Sequence, residues 1–286
     1  MRRAVPIGTV AVFYLIAFGL SWLILIPQAA AARGLIGLQL PAAFGFVSPL
    51  APTLAAIALS LREGGAREVG HLLGRLLQWR AAPRWYLAVL FGFPALAVLA
   101  LGLAFAVTGR LPDITASYIH NVFPQFPHTL SPWLLVLPFL LFSIVTSIPE
   151  EVGWRGYALP RLQERWGAVA ASLLVGAFWG LWHLPDFFNP QQAQSGISFP
   201  FFITLSVVGS ILFTWVFNGT GGSLLMVSTL HSSLNASAVF LPLLPQVTGT
   251  QLQLWLFGAV IGVVAVIVAV VRPPSFSRLA PSMSAP

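Results

Sequence analysis

The chain of 286 residues has no cysteine, which excludes disulfides, thiolate metal sites and a cysteine nucleophile. Lysine is also missing, and all fourteen basic residues are arginine. Charge of either sign is scarce: 7% of the residues are charged and seven are acidic, where an ordinary soluble domain carries about 25% charged residues. Neither H-E-x-x-H nor G-x-S-x-G occurs, so the zincin and serine-elbow designs fall away. No aspartate pair lies within the apolar runs, and neither an internal repeat nor a soluble second domain is visible.

What is there is hydrocarbon, since 57% of the residues are hydrophobic. At about 20 residues per crossing of a roughly 30 Å apolar core, runs near 8–31, 41–61, 85–108, 132–163, 167–184, 198–217, 222–243 and 250–271 predict eight helices. The expected fold is an all-α, multi-pass transmembrane bundle; a barrel would need shorter segments of alternating polarity. The arginines report orientation. With the N-terminus in the cytoplasm, Arg2, Arg3, Arg62, Arg67, Arg75, Arg80, Arg84, Arg155, Arg161, Arg165, Arg272 and Arg278 lie inside, and Arg33 and Arg110 outside. Twelve against two is the bias of the positive-inside rule, so the net charge of +7 reads as topology and not as nucleic-acid binding. The first run follows Arg2 and Arg3 but exceeds the roughly 7–15 apolar residues of a cleaved signal, and reads as a retained helix.

Polar connections punctuate the runs. Residues 62–84 form a cytoplasmic link with room for a short amphipathic helix, and 113–131, with His120 and His128, belong on the opposite side. Residues 186–198 read as a loop, and the Pro- and Ser-rich 273–286 as a disordered tail. Three parts follow: 1–131 with the first three helices, 132–243 as the core that carries the chemistry, and 244–286 with the last helix and the tail.

A few ionisable groups sit inside apolar runs: Glu150, Glu151, Arg155, His183 and His231, with Asn235 as a polar companion. Such groups are costly in a membrane and usually mark a site. Each also has a plainer explanation. Glu151 and Arg155 are spaced as an i,i+4 ion pair, while Glu150, turned roughly 100° away, is the freer carboxylate. His231 and Asn235 share one face of the seventh helix and, with Ser228, Thr229, Ser232 and Ser233, suit interhelical hydrogen bonding. His183, beside Trp179 and Trp182, suits an interfacial belt.

Depth ties them together. If the fourth helix continues to Gln163, Glu150 lies about 20 Å from its cytoplasmic end at the usual rise per residue. His183 lies about 24 Å past Gly167, and His231 and Asn235 about 14 and 20 Å past Gly222. One shared polar cavity explains three such coincidences. A carboxylate, two imidazoles and a carboxamide there can activate water and stabilise an oxyanion, as peptide hydrolysis requires. A serine-histidine site at Ser223 and His231 fits poorly, because Ser223 opens the helix.

Glu150-Glu-Val-Gly-Trp-Arg155 resembles the E-E-x-x-x-R motif of the CPBP family of intramembrane proteases, the CAAX prenyl protease and Abi-type group. The His183 segment resembles that family's F-x-x-x-H, with Trp179 in place of the usual Phe and Phe178 one place earlier, and His231-Ser-Ser-Leu-Asn235 resembles its H-x-x-x-N. The resemblance spans about 132–240. It implies an intramembrane endopeptidase in which Glu150 activates water, His183 assists, His231 and Asn235 polarise the carbonyl or hold its oxyanion, and Glu151 and Arg155 brace the site. It leaves open two chemistries: a metal-free glutamate mechanism, or a zinc ion held by His183, His231 and Glu150. The implied partner is a membrane-associated protein or peptide, lipidated or not, and the implied location a bacterial plasma membrane. The alternative is a non-catalytic transporter or immunity scaffold built on the same polar cavity.

Overall fold

A computed structural model describes residues 7–37, 47–110, 113, 117–123 and 129–271. Arg2, Arg3, Arg272, Arg278, His128 and the 273–286 tail lie outside the described residues. Eight long helices follow one another: α1 (Ile7–Ala32), α2 (Leu50–Gly74), α3 (Pro83–Thr108), α4 (Val136–Glu151), α5 (Leu159–Trp182), α6 (Phe199–Gly219), α7 (Leu224–Phe240) and α8 (Leu252–Val271). All regular structure among the described residues is helical, as the continuous apolar runs require. Six stretches are long and apolar enough to cross a membrane, and one of them, Pro132–Phe188, contains both α4 and α5. The protein is an integral membrane helix bundle.

Between α4 and α5 the chain never leaves helix. It widens into a π-helix over Val152–Ala158, in which the Leu159 N–H reaches the Trp154 carbonyl five residues back. Pro149 prepares this change, because it has no N–H for the ladder, and its own carbonyl accepts from the Thr53 hydroxyl at 2.5 Å. Such π segments are frequent at functional sites. The reversal comes later, at Gly167, whose φ of 72° and ψ of 171° suit only glycine. Contacts of Glu150 with Trp179 and of Trp154 with Trp182 bring the end of the first arm against the end of α5. The fourth and fifth runs of the sequence thus separate at the expected glycine. A second break, at Gly64 and Gly65 (φ 66°), ends the apolar part of α2, and 66–74 forms a short helix in the connection to α3.

A close helix contact joins α5 to α6. Ser172, Gly176 and Gly180 recur every four residues and meet Ser206, Ser210 and Thr214 on α6; the Ser172 and Thr214 hydroxyls bond at 2.7 Å. A Cβ added at Gly176 would lie 2.5 Å from the Ser206 carbonyl oxygen and 2.7 Å from the Val207 Cα. Small residues of this kind let membrane helices approach backbone to backbone, where no hydrophobic force drives them together.

The two ends of the bundle differ in charge. At one, Glu63 pairs with Arg161 and accepts from the Tyr157 hydroxyl at 2.5 Å, Arg75 reaches the Gly156 carbonyl at 3.3 Å, and Ser223 reaches the Gln78 carbonyl at 2.5 Å. At the other, Arg33 holds the Phe188 carbonyl at 2.5 Å, Gln246 the Ala193 carbonyl at 2.7 Å, and Ser117 the Val239 carbonyl at 2.8 Å. Arg155 is wholly buried and leaves the charge bias, which becomes eleven against two when it is subtracted from the twelve.

Gly176→Ala should lower stability by about 1–3 kcal/mol, the usual effect of overpacking. Thermal unfolding in detergent measures it; an unchanged midpoint would contradict the backbone contact between α5 and α6.

Candidate functional site

The structure brings the polar residues of α4, α5 and α7 to one place. Glu150, His183, His231 and Asn235 all line a single cavity of about 1450 Å³, together with Trp179, Ser143 and Ser147. Glu151 and Arg155 lie behind its wall and are fully buried.

Glu151 is the hub of that wall. Its Oε1 accepts from Arg155 Nη1 at 2.9 Å and lies 2.8 Å from His231 Nδ1. Arg155 is held in turn by the Ser210 hydroxyl at 3.4 Å, and its guanidinium lies over the rings of Phe213 and Trp179, at 4.3 and 4.8 Å. Aromatic faces are among the few apolar surfaces that accept a desolvated guanidinium. The brace expected of Glu151 and Arg155 is present as a contact. It also includes a residue outside the expected pair, since His231 is fastened to Glu151.

Glu150 faces the cavity, 8% exposed. Its Oε2 accepts from the Trp179 indole N–H at 2.8 Å. The tryptophan that stands where the motif usually has phenylalanine therefore does more than fill space, since phenylalanine has no donor to offer. Phe178, one place earlier, points elsewhere and stacks on Tyr14 with ring centres 4.0 Å apart.

His183 lies at the end of α5, where its Nδ1 is 2.9 Å from Asp186 Oδ2. Sequence reasoning left Asp186 in a loop. Its spacing of three from His183, at a helix end followed by a helical turn, was the signal that could have found it. Both histidines now have Nδ1 against a carboxylate, a contact that fixes ring orientation and leaves Nε2 for other work. Asn235 donates to the Ser143 hydroxyl at 3.4 Å. Its neighbours Ser232 and Ser233 instead bond the carbonyls of Leu140 and Leu90, at 3.1 and 3.2 Å. On α7 the serines share the plainer role of helix bonding with His231 and Asn235, which also line the cavity.

A three-ligand zinc set does not assemble in this geometry. Among the described residues no three His, Asp or Glu side chains come close enough together to hold a metal ion, although His183, His231 and Glu150 share the cavity.

Residues 132–237 match the model of a family described as type II CAAX prenyl endopeptidase Rce1-like. This segment is similar to that family. A "CAAX prenyl protease 2" of Methanococcus maripaludis is 33% identical over 106 residues, which are 35% of this chain and 39% of that relative. The chain thus matches about two-fifths of the length of this curated relative. The match contains Glu150, Glu151, Arg155, His183, His231 and Asn235, so the resemblance first drawn from three short motifs to the CPBP family is borne out over this core.

Breaking the buried pair from one side should be severe: Arg155→Ala leaves an unpaired carboxylate and should cost about 3–5 kcal/mol. Glu150→Gln, at the cavity wall, should leave the unfolding midpoint near that of the wild type. Detergent melts of the two variants, run side by side, test the division between them.

Proposed function

We propose that this protein is an intramembrane endopeptidase that hydrolyses a peptide bond of a membrane-associated substrate, with Glu150 as the base that activates water. The observation that carries the proposal is the position of Glu150. Its carboxylate lines the cavity, with one oxygen on the Trp179 N–H at 2.8 Å, while the adjacent Glu151 is taken up by Arg155 and His231. One carboxylate of the pair is therefore available to a water molecule and the other is not.

In this mechanism Glu150 takes a proton from water, and the resulting hydroxide attacks the carbonyl carbon of the peptide bond. The oxyanion that forms is met by the Asn235 amide N–H and by His231. A ring held at Nδ1 by Glu151 presents Nε2, which donates when the ring is doubly protonated. His183, oriented by Asp186, assists at the water and at the departing amine, to which the proton from Glu150 passes as the C–N bond breaks. Glu151 and Arg155 act through His231 and touch no reacting atom. The prenylated class of substrate comes from the printed name of the relative, and the family model supports the peptidase class. No step is routed through a metal.

Glu150→Gln should lower the rate on a quenched, lipidated fluorogenic peptide by about 10²–10⁴-fold, the usual contribution of a positioned base. Full activity in that variant would end this assignment. Asn235→Ala should lose about 10²–10³-fold, as removal of an oxyanion donor does elsewhere. A parallel series with a chelator decides between the glutamate and zinc chemistries.

Trp179→Phe removes the donor from Glu150 and keeps the ring. The rate in the same peptide assay should fall while the unfolding midpoint in detergent stays near that of the wild type; an unchanged rate would mean that Trp179 only packs.

A further inference from the structure

The side from which a substrate reaches Glu150 can be read from the cavity walls together with the arginine bias. Six neutral carboxamides surround the mouth: Gln28 at the end of α1, Asn121, and Asn189, Gln191, Gln192 and Gln194 from the connection after α5. The chain segments that carry them meet at the end of the bundle that includes Arg33 and Arg110. Arg33 ties α1 to this connection through the Phe188 carbonyl at 2.5 Å, and Gln246 ties it to the loop after α7 at 2.7 Å.

The other end is shut. Every residue of the π segment from Val152 to Ala158 is buried, and below it the Glu63, Tyr157 and Arg161 cluster crosses the base of the bundle. That end holds Arg62, Arg67, Arg75, Arg80, Arg84, Arg161 and Arg165, and by the positive-inside rule it is cytoplasmic.

We propose that the substrate enters from the arginine-poor, non-cytoplasmic side. Its class is then a membrane-anchored chain whose cleavable segment lies extended and uncharged on that side, in place of a prenylated tail presented from the cytoplasm. The carboxamide rim suits such a segment. The Asn189 oxygen already accepts from the Gln191 N–H at 3.0 Å; the others offer both donors and an acceptor, so they can pair with the N–H and C=O groups of an extended backbone without requiring a particular side chain. A rim without net charge also places no electrostatic barrier before the one carboxylate at the bottom. The proposal rests on the peptidase assignment above, but its geometry can be tested without it.

The chain has no cysteine, so single cysteines can be placed at will. Gln191 is exposed at the cavity mouth and Gln78 is exposed at the arginine-rich end, and neither substitution changes the charge bias. In intact spheroplasts a membrane-impermeant maleimide should label Gln191→Cys at once and Gln78→Cys only after lysis. Any other pattern overturns the assigned side. A second measurement uses the lipidated peptide with a sulfonated dye that cannot cross the bilayer. Right-side-out vesicles should cleave it when it is added outside, and inside-out vesicles should cleave it only after lysis. The reverse order would overturn the route of entry alone. Failure of cleavage in both, even after lysis, would sink the peptidase assignment and this proposal with it, while the labelling result would still fix which way the cavity faces.

Discussion

A single buried contact organises this protein: the Glu151 carboxylate shared by Arg155 and His231. Burial of two ions in a medium of low dielectric constant carries a penalty of several kcal/mol for each, and the pair is tolerable only with good geometry and further partners. Those partners come from three helices. Ser210 bonds Arg155 from α6, Trp179 and Phe213 supply aromatic faces from α5 and α6, and His231 closes the group from α7. A shift of any of these helices would leave a charge unpaired in hydrocarbon. The pair therefore fixes α5, α6 and α7 against the end of α4, and the cavity is what remains between them.

The adjacent glutamates take different roles because helical geometry allows nothing else. Neighbouring residues point about 100° apart, so a helix that buries one carboxylate toward Arg155 turns the other toward a different neighbour. Immediately beyond them the π segment begins, which lets Gly153 lie against α2, where an added Cβ would stand 2.8 Å from the Pro52 carbonyl carbon. Close approach of α2 there closes the bundle under the site. The loosened helix, the glycine contact and the buried ion pair are parts of one local solution: polar groups held deep in a membrane with water kept to one side.

Much of the fold was legible because hydrocarbon imposes such a simple rule on sequence. Each continuous apolar run had to become a helix, and the fifth run began at Gly167, where the structure reverses the chain. The meeting of α4, α5 and α7 was legible from depth alone, since intramembrane polar groups at matching levels have few other places to go. Pairings within the site were not. Spacing on one helix shows which residues share a face, and so it found Glu151 with Arg155. It is silent on which partner on another helix will be met, which is why His231 was not joined to Glu151. Asp186 escaped because its role depends on a turn that begins after the helix ends. Trp179 looked like a conservative exchange for phenylalanine because hydropathy treats an indole as a ring and ignores its N–H.

The direction of opening follows from the same economy of charge. A site proposed to activate water needs a supply of water, yet each polar group exposed to lipid without a partner costs several kcal/mol. A passage open at both ends would have to line the full membrane thickness with polar residues, and a chain with seven acidic residues and no lysine has few to spend. Opening at one end alone halves that requirement. The carboxamides are concentrated at the mouth, while the base is sealed by a wholly buried turn of π-helix and by the Glu63, Tyr157 and Arg161 cluster. Glu150 lines the cavity, with the buried Glu151 and Arg155 pair behind it. In the proposed reaction a water meets this carboxylate where the surrounding protein is dry enough for a neighbouring positive charge or amide dipole to act at nearly full strength.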